Sequence, residues 1–434
     1  MSQALGLIQI AILDDRSVLQ AIGPFNLIRD FNQTNRSFTG DPMSRSNRMQ
    51  AAAQHFIDRK EFAGIEWQVN VAGRILTHGH AGAANADHSL PIPTDALYRI
   101  YSMTKPVVSV LALMLIEAGR LRLYDFLPKF NRAFAMMKVL SPDGTLAPAH
   151  RPITVEDLLT HRAGFTYEFI TGCHIAPGYD AIALSEDGAV SLDEMMAKLA
   201  AQPLAFQPGS QFRYSVATDV LAHVIEKATG ERLDDLLREH LFEPLQMQDT
   251  GFCITPDQQD RLMPMFGVSS LRDLSPMNPP LEQTLTAIDV ESMYPAGNSN
   301  FRRGGHGLFS TTSDYLKFAT MLLDGKTVSG EVILSRTMLK MMQVNRIPEH
   351  QLPLKIGLGP LPGYGWGLTG RVMIDTGQAM SLTNHGEFGW SGAAATYFWV
   401  DPAEAMVGVI MTQYLGSILP LSEALRTAAY QMLD

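Results

Sequence analysis

The chain has 434 residues, 46% of them hydrophobic, and a formal net charge of -10. That length and apolar fraction suffice for a large buried core in one big domain or two moderate ones, and an acidic balance without a local basic stripe excludes a nucleic-acid or anionic-membrane surface. Two cysteines, Cys173 and Cys253, stand far apart in no metal-ligand or redox spacing, which excludes a disulfide framework and a zinc site and fits a reduced, cytoplasmic setting.

Residues 1–45 change character repeatedly. The run "ALGLIQIAIL" (4–13) is as apolar as a signal-peptide core, yet no Lys or Arg precedes it and it meets Asp14, Asp15 and Arg16 without a small-residue cleavage site. The turn-rich stretch "RDFNQTNRSFTGDPMSRSN" then closes an N-terminal extension ahead of a main domain over 46–434. No apolar run reaches the ~18 residues of a membrane span.

A helical pattern covers Arg48 to Phe62, and "IEWQVNV" (65–71) then alternates strictly, with Ile65, Trp67, Val69 and Val71 on one face. This predicts a half-buried strand, with "ILTHGHAG" as its hairpin partner. In "YRIYSMTKPVVSVLALMLIEAG" (98–119), Ser102 and Lys105 stand three apart at the start of a very apolar helix. On one helical face the lysine reaches the serine hydroxyl, and Pro106 confines this pair to the first turn, where the amides favour negative charge. Burial that lowers the lysine pKa would make it a base for the serine. The same pattern, taken alone, also fits a serine N-cap beside a solvated lysine, but no other lysine in the chain has a serine three residues before it.

Helical periods with Gly or Pro stops follow in "TVEDLLTH", "SLDEMMAKLAAQ", "TDVLAHVIEKATG" and "LDDLLREHLFEPL". In "FQPGSQFRYSVATDVLAHVIEKATG" (206–230), Tyr214 and Ser215 lie between a Pro-Gly turn and a helix. A phenol there relays a proton or is simply a packed aromatic. Residues 276–305 read as an irregular loop, either bordering the site or disordered.

Near the end, in "HGEFGWSGAAATYFWVDP" (385–402), Gly389, Trp390, Ser391 and Gly392 open directly into a strand from Ala394 to Val400; the small residues either admit a substrate and aim an amide at an oxyanion or form a hairpin glycine cluster. A turn at Asp401-Pro402, a strand "AMVGVIM" (405–411) and an amphipathic helix complete the chain. Strands from both termini predict one antiparallel sheet. The fold class is α+β, with an α/β part at about 46–125 and 300–434 and a mainly helical part at about 126–299.

Together these stretches resemble the serine β-lactamase and penicillin-binding-protein superfamily, most closely the family VIII carboxylesterases. The S-x-x-K motif matches Ser102-Met103-Thr104-Lys105, Y-x-N is occupied by Tyr214-Ser215-Val216, and the K-T-G position by Trp390-Ser391-Gly392. Further matches are "ITVEDLLTHRAGF" (153–165), "GGHGLFSTTSDYLKFATMLL" (304–323) and "GYGWGL" (363–368).

The resemblance implies an acylated nucleophile at Ser102, a general base or proton shuttle at Lys105, an acid/base partner at Tyr214, and an oxyanion held between the backbone amides of Ser102 and Ala393. It implies no metal and no cofactor. Trp390 stands where lactam-cleaving relatives have a lysine, whose charge-assisted bond to a substrate carboxylate contributes about 1.5–3 kcal/mol. Val216 stands where they have an asparagine. Both differences favour neutral small-molecule esters, contacted at Trp390, Ser391, Gly392 and Val216. Ser391 restores a hydroxyl like the threonine of K-T-G, leaving a β-lactamase or D-amino-acid peptidase as the alternative and an acyltransferase on the same acyl-enzyme as a third.

Other chemistries fit less well. "GWSGA" nearly spells a nucleophile elbow at Ser391, but that arrangement needs a later histidine, and none follows His385. His78 with His80, or His306 with His385, show no metal-ligand spacing. A catalytically dead scaffold would not be expected to keep Ser102, Lys105 and Tyr214.

Overall fold

Alternation in "IEWQVNV" becomes strand β1 (Gly64–Val71), paired antiparallel with β2 (Arg74–Gly82). The computed structural model describes residues 47–185, 187–273, 284–356 and 359–433; the expected extension over 1–45 lies outside the described residues. Five later strands complete the sheet: β3 (Tyr364–Trp366), β4 (Arg371–Met373), β5 (Phe388–Ser391), β6 (Tyr397–Asp401) and β7 (Met406–Met411). Their order is β3-β4-β5-β6-β7-β1-β2, and β1 meets β7 from Glu66 opposite Met411 to Val71 opposite Met406. Strands from both ends of the domain therefore form one antiparallel sheet, as expected of this α+β fold.

Each face of the sheet buries an apolar set. Ile65, Trp67 and Val69 join Trp399, Met406 and Ile410 against helix α1 (Arg48–Asp58) and the C-terminal helix (Leu421–Tyr430). The opposite face, with Phe398, Val400, Val407 and Val409, packs on helix α5 (Thr312–Asp324), and helices α2 (Thr104–Glu117), α3 (Leu192–Ala200) and α4 (Ala217–Thr229) belong to the same large core. The C-terminal helix is α6. No described helix is long and apolar enough to cross a membrane.

Several boundaries differ from expectation for identifiable reasons. Helix α1 stops at Asp58 because Lys60 turns left-handed at φ 58°. The strand expected over 394–400 begins only at Tyr397, and Phe388–Ser391 is a strand of its own. A hairpin turn joins them, with Gly392 N–H donating to Thr396 O at 2.8 Å and Ala395 left-handed at φ 61°. The residues "AAAT" carry none of the usual turn chemistry. In the mainly helical part, Met265–Gly267 and Ala287–Ile288 form a three-stranded sheet with Tyr414–Leu415, which follows β7.

A buried ion cluster ties the sheet to α6. Glu387, 0% exposed, accepts from Arg371 on β4 and Arg426 on α6 at 3.0 Å each, from Tyr364 OH at 2.9 Å and from Thr383 Oγ1 at 3.0 Å.

Candidate active site

Ser102 sits in the single 3-10 turn (Tyr101–Met103) between the short strand Tyr98–Arg99 and α2. Tyr101, just before it, is left-handed at φ 43°, a conformation a tyrosine holds only where its surroundings over-determine it. Those surroundings are Tyr294, whose ring centroid lies 4.9 Å away, and the Ile100 amide bonded to Leu308 O at 3.1 Å. The sharp turn presents the serine at the mouth of α2.

Helix α2 is apolar almost all round, so it is buried on nearly every side, and Lys105 is carried inside with only 2% exposure. Its Nζ lies 3.1 Å from Ser102 Oγ, 2.9 Å from Tyr167 OH and 2.7 Å from Gly305 O. Desolvation pushes the amine down to about 7, against the opposing attraction of Asp219. An ordinary lysine is neutral in roughly one molecule in a thousand at neutral pH, whereas an amine with that value is about half neutral. A neutral amine has two hydrogens and one lone pair. With the carbonyl of Gly305 and the phenol of Tyr167 taking the hydrogens, the lone pair faces Ser102.

Tyr214, 6% exposed, is raised above the usual phenol range, first by burial, with hydrogen bonds to Ser102 and Trp390 opposing. It therefore stays protonated. Trp390 Nε1 donates to Tyr214 OH at 3.1 Å, and the indole packs edge-on against Trp366 at 4.5 Å. The structure thus brings Ser102, Lys105 and Tyr214 together.

The turn after β5 meets this group from the other side. A Cβ on Gly392 would collide with Ile100 O and Thr396 Oγ1, so its smallness serves a close approach between the hairpin and the turn carrying Ser102, rather than room for a substrate. Ala393 consequently lines the cleft beside Ser102. Its carbonyl accepts from Gly416 N–H at 3.0 Å, and among the described residues no backbone acceptor takes its own N–H.

Two expected contact residues stand elsewhere. Val216 is fully buried at the start of α4 and does not line the cleft, and Trp390, 5% exposed, is likewise absent from its lining. Both pack within the core, with the Trp390 N–H reaching the phenol. Ser391 ends β5 and, with Gly392, is also outside the cleft lining.

Tyr167, Asp219 and Gly305 were not anticipated as site residues. Asp219, 0% exposed, accepts from Gly305 N–H at 2.9 Å, and burial raises its carboxyl above the usual range against the opposing charge of Lys105. A side chain at 305 would run into Asp219 and Tyr167, so the glycine allows three chain segments to converge on one amine. The signals were present in "HRAGFTY", "ATD" and "GGHG", but no spacing links stretches so far apart.

The cleft opens to solvent and is lined by aromatic and aliphatic groups, among them Tyr101, Phe169, Leu271, Met293, Tyr294 and Leu415. Its one histidine, His306, is kept uncharged, chiefly by burial, and no Lys or Arg lines it among the described residues. Such a cleft favours an uncharged, largely apolar ligand.

The family model described as "Beta-lactamase" matches residues 49–431. Protein Rv1367c of Mycobacterium tuberculosis (strain ATCC 25618 / H37Rv) is 30% identical over 373 residues, covering 84% of this chain and 89% of the relative. Esterase EstB of Burkholderia gladioli is 27% identical over 407 residues, covering 91% and 97%. The solved structure of EstCE1, "a hydrolase with promiscuous acyltransferase activity", superposes with a TM-score of 0.74 at 25% identity, covering 89% of this chain and 98% of that one.

Proposed function

Since this chain belongs to the β-lactamase family, we propose that it is a serine carboxylesterase, hydrolysing neutral carboxylic esters through an acyl-enzyme on Ser102. The observation that carries this reading is the buried amine of Lys105, held at about 7 and 3.1 Å from Ser102 Oγ. The likeness to EstB and EstCE1 supports the ester class, as does a cleft whose described lining offers no cation for a carboxylate-bearing lactam.

Lys105 takes the Ser102 proton as Oγ attacks the ester carbonyl, and the resulting oxyanion lies between the amides of Ser102 and Ala393. Tyr214, kept protonated by burial, passes its proton to the departing alkoxide and regains one from the Lys105 ammonium. Water then enters, gives up a proton by the reverse route and releases the acid. An alcohol in place of that water gives acyl transfer, the second reading, which the EstCE1 likeness favours.

A fluorophosphonate probe tests the nucleophile: it should label the wild type and not Ser102→Ala. Comparing p-nitrophenyl butyrate with nitrocefin tests the substrate class. A higher kcat/KM on nitrocefin overturns the esterase reading.

A further inference from the structure

We propose that His161 is a positioning residue for Tyr214, gripping the chain on both sides of the phenol; this rests on the proton-donating role of Tyr214 given above. His161 is 1% exposed and immediately follows the turn after the short helix Val155–Leu159. Its backbone carbonyl accepts from Arg213 N–H at 2.9 Å, and its Nδ1 lies 3.2 Å from Ser215 Oγ. One residue thus holds the chain neighbours before and after Tyr214. The imidazole ring also lies against the phenol itself, centroids 4.8 Å apart at 49°.

The backbone makes this double contact possible. His161 is left-handed at φ 54°, a conformation that lets its carbonyl and its side chain engage the same facing strand of chain and that few non-glycine residues adopt outside Asn, Asp and His. Trp366 closes the other side, with its ring 5.1 Å from the imidazole and its Nε1 donating to Leu159 O at 3.1 Å.

Ser215 Oγ receives the Ala217 N–H at 3.4 Å and retains one proton to give and one lone pair to offer, so it pairs with Nδ1 of either tautomer of an uncharged ring. Burial, and after it the charge of Lys105, holds the imidazole well below its ordinary range. The neutral ring is bonded to Ser215 Oγ through Nδ1 in either tautomer and takes no proton from the reacting groups. It fixes where the phenol stands, and a displacement on the scale of 1 Å in such a group costs about 10²-fold in rate.

The test exploits leaving groups. p-Nitrophenolate departs without a proton, whereas ethoxide needs one, so a misplaced Tyr214 harms ethyl butyrate hydrolysis far more than p-nitrophenyl butyrate hydrolysis. Ser215→Ala removes the side-chain grip, together with the long bond from Ala217 N–H, and leaves the His161 ring in place. His161→Ala removes grip and ring, and His161→Asn keeps an acceptor near the Nδ1 position together with tolerance for the left-handed backbone. The first two variants should lower kcat on ethyl butyrate at least about tenfold more than on p-nitrophenyl butyrate, with KM little changed, and His161→Asn should recover most of the loss. Should His161→Ala fail to fold, Ser215→Ala and His161→Asn carry the comparison. Equal losses on both esters, or none, overturn the inference. A wild type that labels on Ser102 and cleaves both esters keeps that result separate from any failure of the esterase reading.

Discussion

Trp390 Nε1 and Tyr214 OH are 3.1 Å apart in a buried, aromatic setting. Indole is a donor only, so the phenol oxygen must accept this bond, which leaves its own hydrogen directed elsewhere. Trp390→Phe keeps a ring and removes the donor. The expected result is a kcat about tenfold lower, matching a lost hydrogen bond worth ~1–1.5 kcal/mol, with KM nearly unchanged in steady-state kinetics.

Lys105 must be neutral to accept the Ser102 proton. Its folded-state value of about 7 lies below that of a free lysine because burial disfavours the charged form. Below that value the amine is protonated and cannot act, so kcat/KM should rise with pH and level off above about 7. Lys105→Arg keeps a cation and loses the base, and should lower kcat by about 10²–10⁴-fold. A pH-rate profile that is flat from acid to neutral conditions contradicts this assignment.

Gly392 sits where a side chain would strike Ile100 O and Thr396 Oγ1. Gly392→Ala should push the hairpin outward and carry the Ala393 amide away from the developing oxyanion. Loss of one such donor costs about 10²–10³-fold in kcat. Measured kcat should fall toward that range while labelled protein remains folded by circular dichroism.

Glu387 neutralises two buried arginines. Glu387→Ala leaves both guanidinium groups without that partner, a change that costs about 3–5 kcal/mol when a buried pair is broken. A clear drop in Tm by thermal denaturation is expected; an unchanged Tm contradicts the role given to this cluster.

Local pattern made some of this protein readable and distance hid the rest. Alternation announced β1, because Ile65, Trp67 and Val69 enter one core, and helical spacing announced that Ser102 and Lys105 share a turn, because three residues on a helix bring side chains together. Tyr214 was reachable only through its motif. Phe388–Ser391 escaped as a strand because Gly389 and Ser391 are poor strand formers, their pairing with Trp399 and Tyr397 being decided by the neighbouring strand. Tyr167 and Gly305 lie 62 and 200 residues from Lys105, so nothing in either local stretch marks them as neighbours of that amine. Val216 and Trp390 pack within the core, and a motif position says which residue is present but not which way the core turns it.

The β1–β7 pairing has a consequence for biosynthesis. A nascent chain stalled on the ribosome before Phe388 would already contain the alcohol, amine and phenol of the proposed reaction, yet lack the hairpin proposed to polarise a bound carbonyl and the final strand that completes the sheet beside β1. Truncated translation products should therefore be inert toward cellular esters, and hydrolytic competence should appear only once synthesis has passed Met411.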